Sequence, residues 1–561
     1  MPITPQVNFN FKNENVQASV PLTGVSHFLA RTTKGPFNDP STLISSYSQF
    51  QRIFGEEVVP DGTVSNIRKA LEIGSKVRVA RVAGGTASYG YAGTSSGGSV
   101  TVTTFSMTLT SAADNSSTVA FTFKIRSKEQ GSKFNDTYDS LYLKFLADTS
   151  GPKTKIILAQ GADNTVANAL AANTLIAWNP TSKEIDYQAL LDFVNQAPNV
   201  DIEVASFNGV TTYDIYGVIA WMADHPEYLP AVGFVTSTVY TLAKGSDGGD
   251  STATTWEDAY DAISEYNDAY NLFLSHVAQH LPSAYTSIYQ AIAAKVKLAQ
   301  EVKLMVELPK PTVGTDVDTY LAALKTLVGA VGQSEYICYF GGGIKYYDDL
   351  GVIRNCDVSG TVAGLHDVCA ATYGPWISPA GQNRGIVANA LGPVMQNLGT
   401  PHMKPTLQEF ADWYMNLFVI KDTQYQGKRT MLWHNFTSCP QNISNKFQTI
   451  VNLNLYIKKN LRPILERYLE EPNTFATWKN MYYEVKPILD DLVTREAMTS
   501  YEWLGDQDVQ SYADLQINNE ADVRAGKYKV KLKYRDIVTL QEITLDIIIA
   551  AAEGAITIVT E

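Results

Sequence analysis

Between residues 255 and 340 the apolar positions fall three times into helical spacing, and each time a short apolar run follows. The spacing predicts a helix from Trp256 to Tyr266 capped by Thr255, a second over about 284–299 and a third over about 317–330. The runs behind them, Leu272-Phe273-Leu274, Val302 to Leu308 and Tyr336 to Phe340, have the length and composition of strands. Strands alternating with helices of this length imply right-handed βαβ crossovers and a parallel sheet. A related pattern opens the chain: a strand at Val25 to Ala30, a turn at Lys34-Gly35-Pro36, a helix from Ser46 to Phe54, a second helix over about 63–73, and the alternating strand Val77 to Val82.

Period-two alternation marks three further places. Val7, Phe9 and Phe11 share one face of a short segment that follows Pro5 and has no strand partner nearby in sequence; Ile556 and Ile558 do the same near residue 561. Such segments suit pairing with the sheet edge of another subunit. In Lys527 to Arg535 the cations Lys527, Lys529, Lys531, Lys533 and Arg535 occupy one face and four apolar residues the other, and a strand over about 540–549 is the expected antiparallel partner. Before it, Phe475, Trp478, Tyr482, Val485 and Leu489 recur at three- and four-residue steps, which predicts an amphipathic helix over about 474–492 with Asn473 as N-cap and a kink at Pro487. Residues 83–118 are rich in Gly, Ser and Thr with alternation such as Ser99 to Thr103, the composition of a surface β segment that opens an insertion reaching about residue 245.

A length of 561 residues exceeds one ordinary core and suggests about three domains. The net charge of −13 argues against direct nucleic-acid binding, apart from the basic face just described. The first residues carry neither a basic n-region nor an apolar h-region, and no apolar run approaches ~20 residues, so a soluble, cytoplasmically made chain without membrane insertion is expected. Cys338, Cys356, Cys369 and Cys439 show no metal or disulfide spacing and are expected to be reduced and mostly buried.

Catalytic motifs do not assemble. His276 and His280 stand four apart, but Val277 replaces the Glu of HExxH and Pro282 ends any helix, so no zinc-protease site is expected. Gly341-Gly342-Gly343-Ile344-Lys345 lacks phosphate-loop spacing and reads as a turn, and Gly245 to Asp250 lacks calcium-loop ligands. Asp490-Asp491 and Glu470-Glu471 point in different directions and read as solvated faces. The expectation is a protein that is not an enzyme, with no cofactor and no metal. A cytosolic α/β enzyme is the alternative; its catalytic set should gather near Glu307, Gly341 and Lys345 at the carboxyl ends of the strands. Another self-assembling shell protein is the third reading.

Residues 24–55 resemble the opening of contractile tail sheath proteins, found in phage tails and related injection systems: Gly24-Val25, Lys34-Gly35-Pro36, Pro40 and Phe54-Gly55 match its strand, turn, proline and helix end. Lys76 to Val82 is similar to the family's next strand. Leu242 to Gly248, Thr361-Val362-Ala363-Gly364, Gly374 to Gly381 and Gly427-Lys428-Arg429-Thr430 resemble later segments in the same order; Lys244 stands for a glycine and Ser378 for a common alanine.

The resemblance implies a sheath of stacked hexameric rings around an inner tail tube, contracting to drive the tube through a target cell envelope. The implied fold is α/β and α+β multi-domain: an inner α/β domain with terminal exchange strands, plus a β-rich inserted outer domain. Expected bounds are an exchange arm at 1–22, the N-terminal part of the core at 23–90, a variable outer region at 91–245, an α/β domain at 246–430, an inner domain at 431–552 and an exchange strand at 553–561. Implied partners are neighbouring sheath subunits, the tube protein, and baseplate and tail terminator proteins, in a tail assembled in the host bacterial cytoplasm. By the same resemblance the helix bearing Lys479 and Lys486 lies near the tube; five like charges on one face of an otherwise acidic chain lead the basic strand to be expected against an acidic partner, the tube or a neighbouring subunit.

Overall fold

The computed structural model describes residues 24–538 with breaks, the longest at 131–140, 161–173, 177–199, 231–238, 243–250 and 395–406. Val7, Phe9, Phe11, Ile556 and Ile558 lie outside the described residues, as do 243–250 and the strand expected over 540–549.

A seven-stranded sheet carries the protein. Its strands are β1 (Val25–Ala30), β2 (Lys76–Arg81), β3 (Asn271–Leu274), β4 (Lys303–Glu307), β5 (Ile337–Gly341), β8 (Met415–Thr423) and β9 (Gly427–Leu432), in the order β2-β1-β3-β4-β5-β8-β9. All neighbours run parallel except β8 and β9. Helices α3 (Ala253–Ser264), α4 (Tyr285–Ala299) and α5 (Val317–Val331) connect or precede β3, β4 and β5, as their spacing predicts.

Successive strand residues point to opposite faces, and both faces are covered. Leu29, Leu272, Leu304, Val306 and Tyr339 join α3, α4 and α5 in one core. Phe28, Phe273, Met305, Cys338 and Phe340 join α1 (Tyr47–Phe54), α2 (Asn66–Ile73) and α6 (Ser359–Tyr373) in the other. This double burial is why the strands read as continuous apolar runs.

Two caps differ from expectation. The first helix of the 255–340 stretch begins at Ala253 with Thr252 as cap; the Thr255 hydroxyl instead reaches back, accepting from the Thr252 N–H at 3.1 Å. Helix α8 (Phe475–Thr494) is capped by Thr474, whose hydroxyl accepts from the Thr477 N–H at 3.2 Å. Asn473 is occupied elsewhere, accepting from the Trp478 indole at 2.7 Å. Pro487 sits inside α8 without ending it.

The glycines of the 24–55 and 361–364 segments fit close approaches. A Cβ on Gly35, whose φ is +106°, would lie 2.4 Å from the Phe54 ring, so Gly35 and the Phe54-Gly55 helix end are two halves of one contact. A Cβ on Gly360 would lie 2.0 Å from the Asn66 carbonyl oxygen, and one on Gly364 2.5 Å from Ile73 Cβ, so α6 lies almost backbone to backbone on α2.

A separate ten-stranded sheet is built from strands between Tyr89 and Leu242, its described core including Phe121, Phe123, Ile125, Ile202 and Phe207. The Ser99–Val102 strand pairs there with Tyr89–Ser96, as its alternation suggests. In the C-terminal part, α7 (Gln448–Glu466), α8 and a two-stranded ladder of β10 (Met498–Leu504) and β11 (Lys531–Asp536) enclose a core with Leu453, Val485, Leu489 and Trp503. β6 (Ile344–Tyr347) and β7 (Ile353–Cys356) form a small sheet with Gly392–Pro393; the Gly341 to Gly343 run is the turn between β5 and β6.

Candidate functional site

Beyond the carboxyl ends of β1, β3 and β4 the chain gathers charge that the sequence scatters. After β1, the strand-like pairing of Thr32 with Glu57 brings the segment following α1 alongside. Two residues past β3, His276 adopts a left-handed backbone with φ 56°. Glu307 ends β4, and Asp357 lies between β7 and α6. All four residues are at most 5% exposed.

His276 Nδ1 lies 2.6 Å from Asp357 Oδ2, and Nε2 lies 3.6 Å from Glu57 Oε1. The other Glu57 oxygen accepts from the Ser65 hydroxyl at 2.5 Å and from the Ile67 N–H at 3.2 Å. Glu307 Oε2 accepts from the Ser359 N–H at 3.0 Å, and Lys310 Nζ stands 3.6 Å from Asp357 Oδ1. Burial opposes a charge on His276, yet Glu57, Asp357 and Glu307 outweigh it and drive the imidazole up to about 9. Burial, reinforced by Asp357, holds the Glu307 carboxyl protonated well above the usual carboxylate range. Glu307 does mark the strand end expected of an enzyme, but Gly341 and Lys345 belong to the β5–β6 turn and the small sheet. No spacing links residues 57, 276 and 357, so only the fold discloses the cluster.

A second buried group joins β1 to β2. His27 Nε2 lies 2.8 Å from Asp268 Oδ1, and Arg78 Nε donates to Asp268 Oδ2 at 2.6 Å. Burial lowers the His27 pKa and keeps the ring neutral, so the Arg78 guanidinium balances the Asp268 charge.

The exposed candidate is the basic ladder. Lys527, Lys529, Lys531, Lys533 and Arg535 are all exposed, while Tyr528, Val530, Leu532 and Tyr534 turn inward. The inward side is anchored: Tyr528 stacks on Trp478 with centroids 4.6 Å apart, and Tyr534 bonds Asn454. The described partner of β11 is β10, with Glu502 opposite Lys533 and Ser500 opposite Arg535. Lys529 meets Asp522 at 2.8 Å and Lys533 meets Glu502 at 3.9 Å. Lys527, Lys531 and Arg535 make no ion pair within 4 Å among the described residues. The apolar face of α8 is core: Trp478, Val485 and Leu489 are buried. Lys479 is exposed, and Lys486 pairs with Asp490 at 2.5 Å.

No protein-family model and no curated protein matches the sequence. Among solved structures, a sheath tail protein from Listeria innocua is 13% identical with a TM-score of 0.49, covering 92% of this chain and 96% of that one. The contracted helical sheath of the anti-feeding prophage is 12% identical with a TM-score of 0.47, covering 98% of this chain and 99% of that one. This chain resembles tail sheath proteins. A sheath tail protein from Desulfitobacterium hafniense, at 11% identity and a TM-score of 0.46, covers 95% of this chain and 100% of that one. The four cysteines are unpaired, three of them buried. No described helix is long and apolar enough to cross a membrane.

Proposed function

We propose that this chain is the sheath subunit of a contractile tail or a related injection machine, stacking as hexameric rings around an inner tube and contracting to drive the tube through a cell envelope. The observation that carries this reading is where the sheath-like segments fall. Gly24-Val25, Phe54-Gly55, Lys76 to Val82 and Thr361 to Gly364, up to 340 residues apart, meet in one layer formed by β1, β2, α1, α2 and α6, through glycine contacts that admit no side chain.

Burial of the His276 cluster also favours a structural protein, since a catalytic set needs a path for substrate. In this reading the arms bearing Val7, Phe9, Phe11 and Ile556, Ile558 add strands to neighbouring subunits. The basic face of β11 meets an acidic partner, either the tube or a neighbouring subunit, and α8 with Lys479 and Lys486 lies toward the tube. Baseplate and tail terminator proteins close the assembly at its ends, within a virion or phage-tail-like particle. Energy for contraction resides in assembly geometry: each hydrogen bond of an exchanged strand contributes only about 0.5–1.5 kcal/mol, but the repeat multiplies it. Negative-stain microscopy of the purified full chain tests the proposal. Striated hollow tubes are expected; flat lattices or only discrete particles would overturn it.

A further inference from the structure

The layer formed by α1, α2 and α6 lies on the sheet mostly through apolar side chains and close glycine contacts, but at the carboxyl ends of β3 and β4 it is fastened by charge. Both ring nitrogens of His276 face carboxylates: Nδ1 stands 2.6 Å from Asp357 Oδ2 and Nε2 stands 3.6 Å from Glu57 Oε1. A neutral imidazole would turn a lone pair toward one of these oxygens, so the geometry calls for the doubly protonated ring. Lys310 adds a second cation at the edge, 3.6 Å from Asp357 Oδ1, and its Nζ donates to the Asn355 carbonyl at 2.9 Å. Two cations thus meet two carboxylates. Glu307 completes a balanced cluster as the neutral acid, since a third negative charge in this dry place would have no counterpart within it.

The other groups that face the cluster leave this balance unchanged. From α4, the Tyr285 hydroxyl donates to the Glu307 carbonyl at 2.8 Å, and the Tyr289 hydroxyl accepts from the Glu307 N–H at 3.3 Å. Burial raises both phenols well above their ordinary value, so they stay neutral. From α2, the uncharged Asn66 donates to Glu307 Oε2 at 3.4 Å and to the Ser275 hydroxyl at 3.0 Å.

We propose that the protons on His276 and Glu307 form a clasp: while both are bound, the segment after α1, α2 and the start of α6 stay fastened to β3 and β4, and their loss at alkaline pH frees this layer before the sheet itself opens. The inference is independent of the sheath reading. Glu57 lies on the segment that leads into α2, and Asp357 stands two residues before α6, so each end of the layer contributes one carboxylate. Removing the His276 proton leaves both carboxylates facing a neutral ring with Lys310 as their remaining cation in the cluster, and ionising Glu307 adds a third negative charge. Burial opposes the charge on His276, but Glu57 and Asp357 outweigh it and draw the ring up to about 9 from 6.5. A proton held more tightly in the folded form stabilises fully below the unfolded value and is lost as the pH rises through the folded one. Glu307, raised by burial and by Asp357, acts in the same direction.

The test is hydrogen exchange of the full chain, read by mass spectrometry from pH 7 to pH 9 and corrected for the chemical rate. For the His276 proton alone, the opening constant of residues 57–67 and 359–364 should rise roughly 40-fold over this interval, while α4 and α5 keep their protection. His276→Gln carries no charge, so the same residues should exchange at pH 7 as they do in the wild type at pH 9. If that variant folds poorly, the wild-type profile decides by itself. An equal dependence on pH in the layer and in α4 and α5 would overturn the proposal, and so would full protection of the layer in His276→Gln at pH 7.

Discussion

Replacing Gly360 by alanine forces the layer that carries the sheath-like segments apart. The new methyl would stand 2.0 Å from the Asn66 carbonyl oxygen, 2.7 Å from its carbon and 2.8 Å from its Cα, all main-chain atoms with no rotamer to change. Ordinary contact begins at 3.4 Å, so α6 and α2 must part by about 1.4 Å. Overpacking of this kind costs about 1–3 kcal/mol. Parting also weakens the bond from the Gly360 N–H to Asn66 Oδ1, 3.2 Å long, worth about 0.5–1.5 kcal/mol. Alanine's better helix propensity offsets at most about 1 kcal/mol, leaving a net loss of about 2 kcal/mol. Gly329, within α5, is the control: nothing lies within 4 Å of its added Cβ, so Gly329→Ala should stabilise by up to about 1 kcal/mol. Urea unfolding of the monomer, followed by far-ultraviolet circular dichroism, should therefore separate two chemically identical substitutions by about 3 kcal/mol at unchanged slope. A Gly360→Ala midpoint equal to or above that of Gly329→Ala would refute the close packing of α2 and α6.

Asp268 should govern part of the acid stability. Burial favours its neutral form, but His27 and Arg78 outweigh this and hold it at about 2, against 3.8 for the free group. Its contribution, about 2 kcal/mol, is complete above pH 3.8 and lost as the pH falls through about 2, so Asp268→Asn should unfold more easily at pH 6 and lose that part of the acid dependence in urea titrations. Reversing Lys529 and Lys531 to Glu should impair tube formation while circular dichroism stays that of the folded monomer; normal tubes would discard a partner role for the basic face. Deleting residues 1–14 or 554–561 should leave a soluble monomer with near-normal thermal unfolding and no tubes. An arm whose loss unfolds the monomer, or leaves polymerisation intact, does not exchange strands.

The parallel core was legible because its elements are long and periodic: α4 and α5 start and end within two residues of their expected positions, and β1 coincides with its own. Caps were less legible, because Thr252 and Thr255, or Asn473 and Thr474, are equally suitable by residue type. Their roles are divided by tertiary contacts, such as the Trp478 indole on Asn473. The strand expected over 540–549 beside the basic strand lies outside the described residues, and the partner that is described could not be read from the sequence. Alternation shows that β11 needs a neighbour but not which, and β10 reaches it from 27 residues earlier through an antiparallel register. The His276 cluster lay beyond sequence reading, since Glu57 and Asp357 are unremarkable acids until the fold closes 300 residues of chain around them.

The long excursion between β2 and α3 has a practical consequence. Val82, where it departs, directly follows β2, and α3, which opens at its return, packs against β2, so the chain leaves the sheet and re-enters it at one place. A folded insertion whose ends already meet can be exchanged with little effect on the sheet that carries it, as domain insertion at adjacent surface sites is well tolerated. The seven-stranded sheet therefore offers a socket for grafting. An unrelated domain with adjacent termini could replace residues 83–250 and be displayed once per copy, making this chain a scaffold for enzymes, antigens or labels.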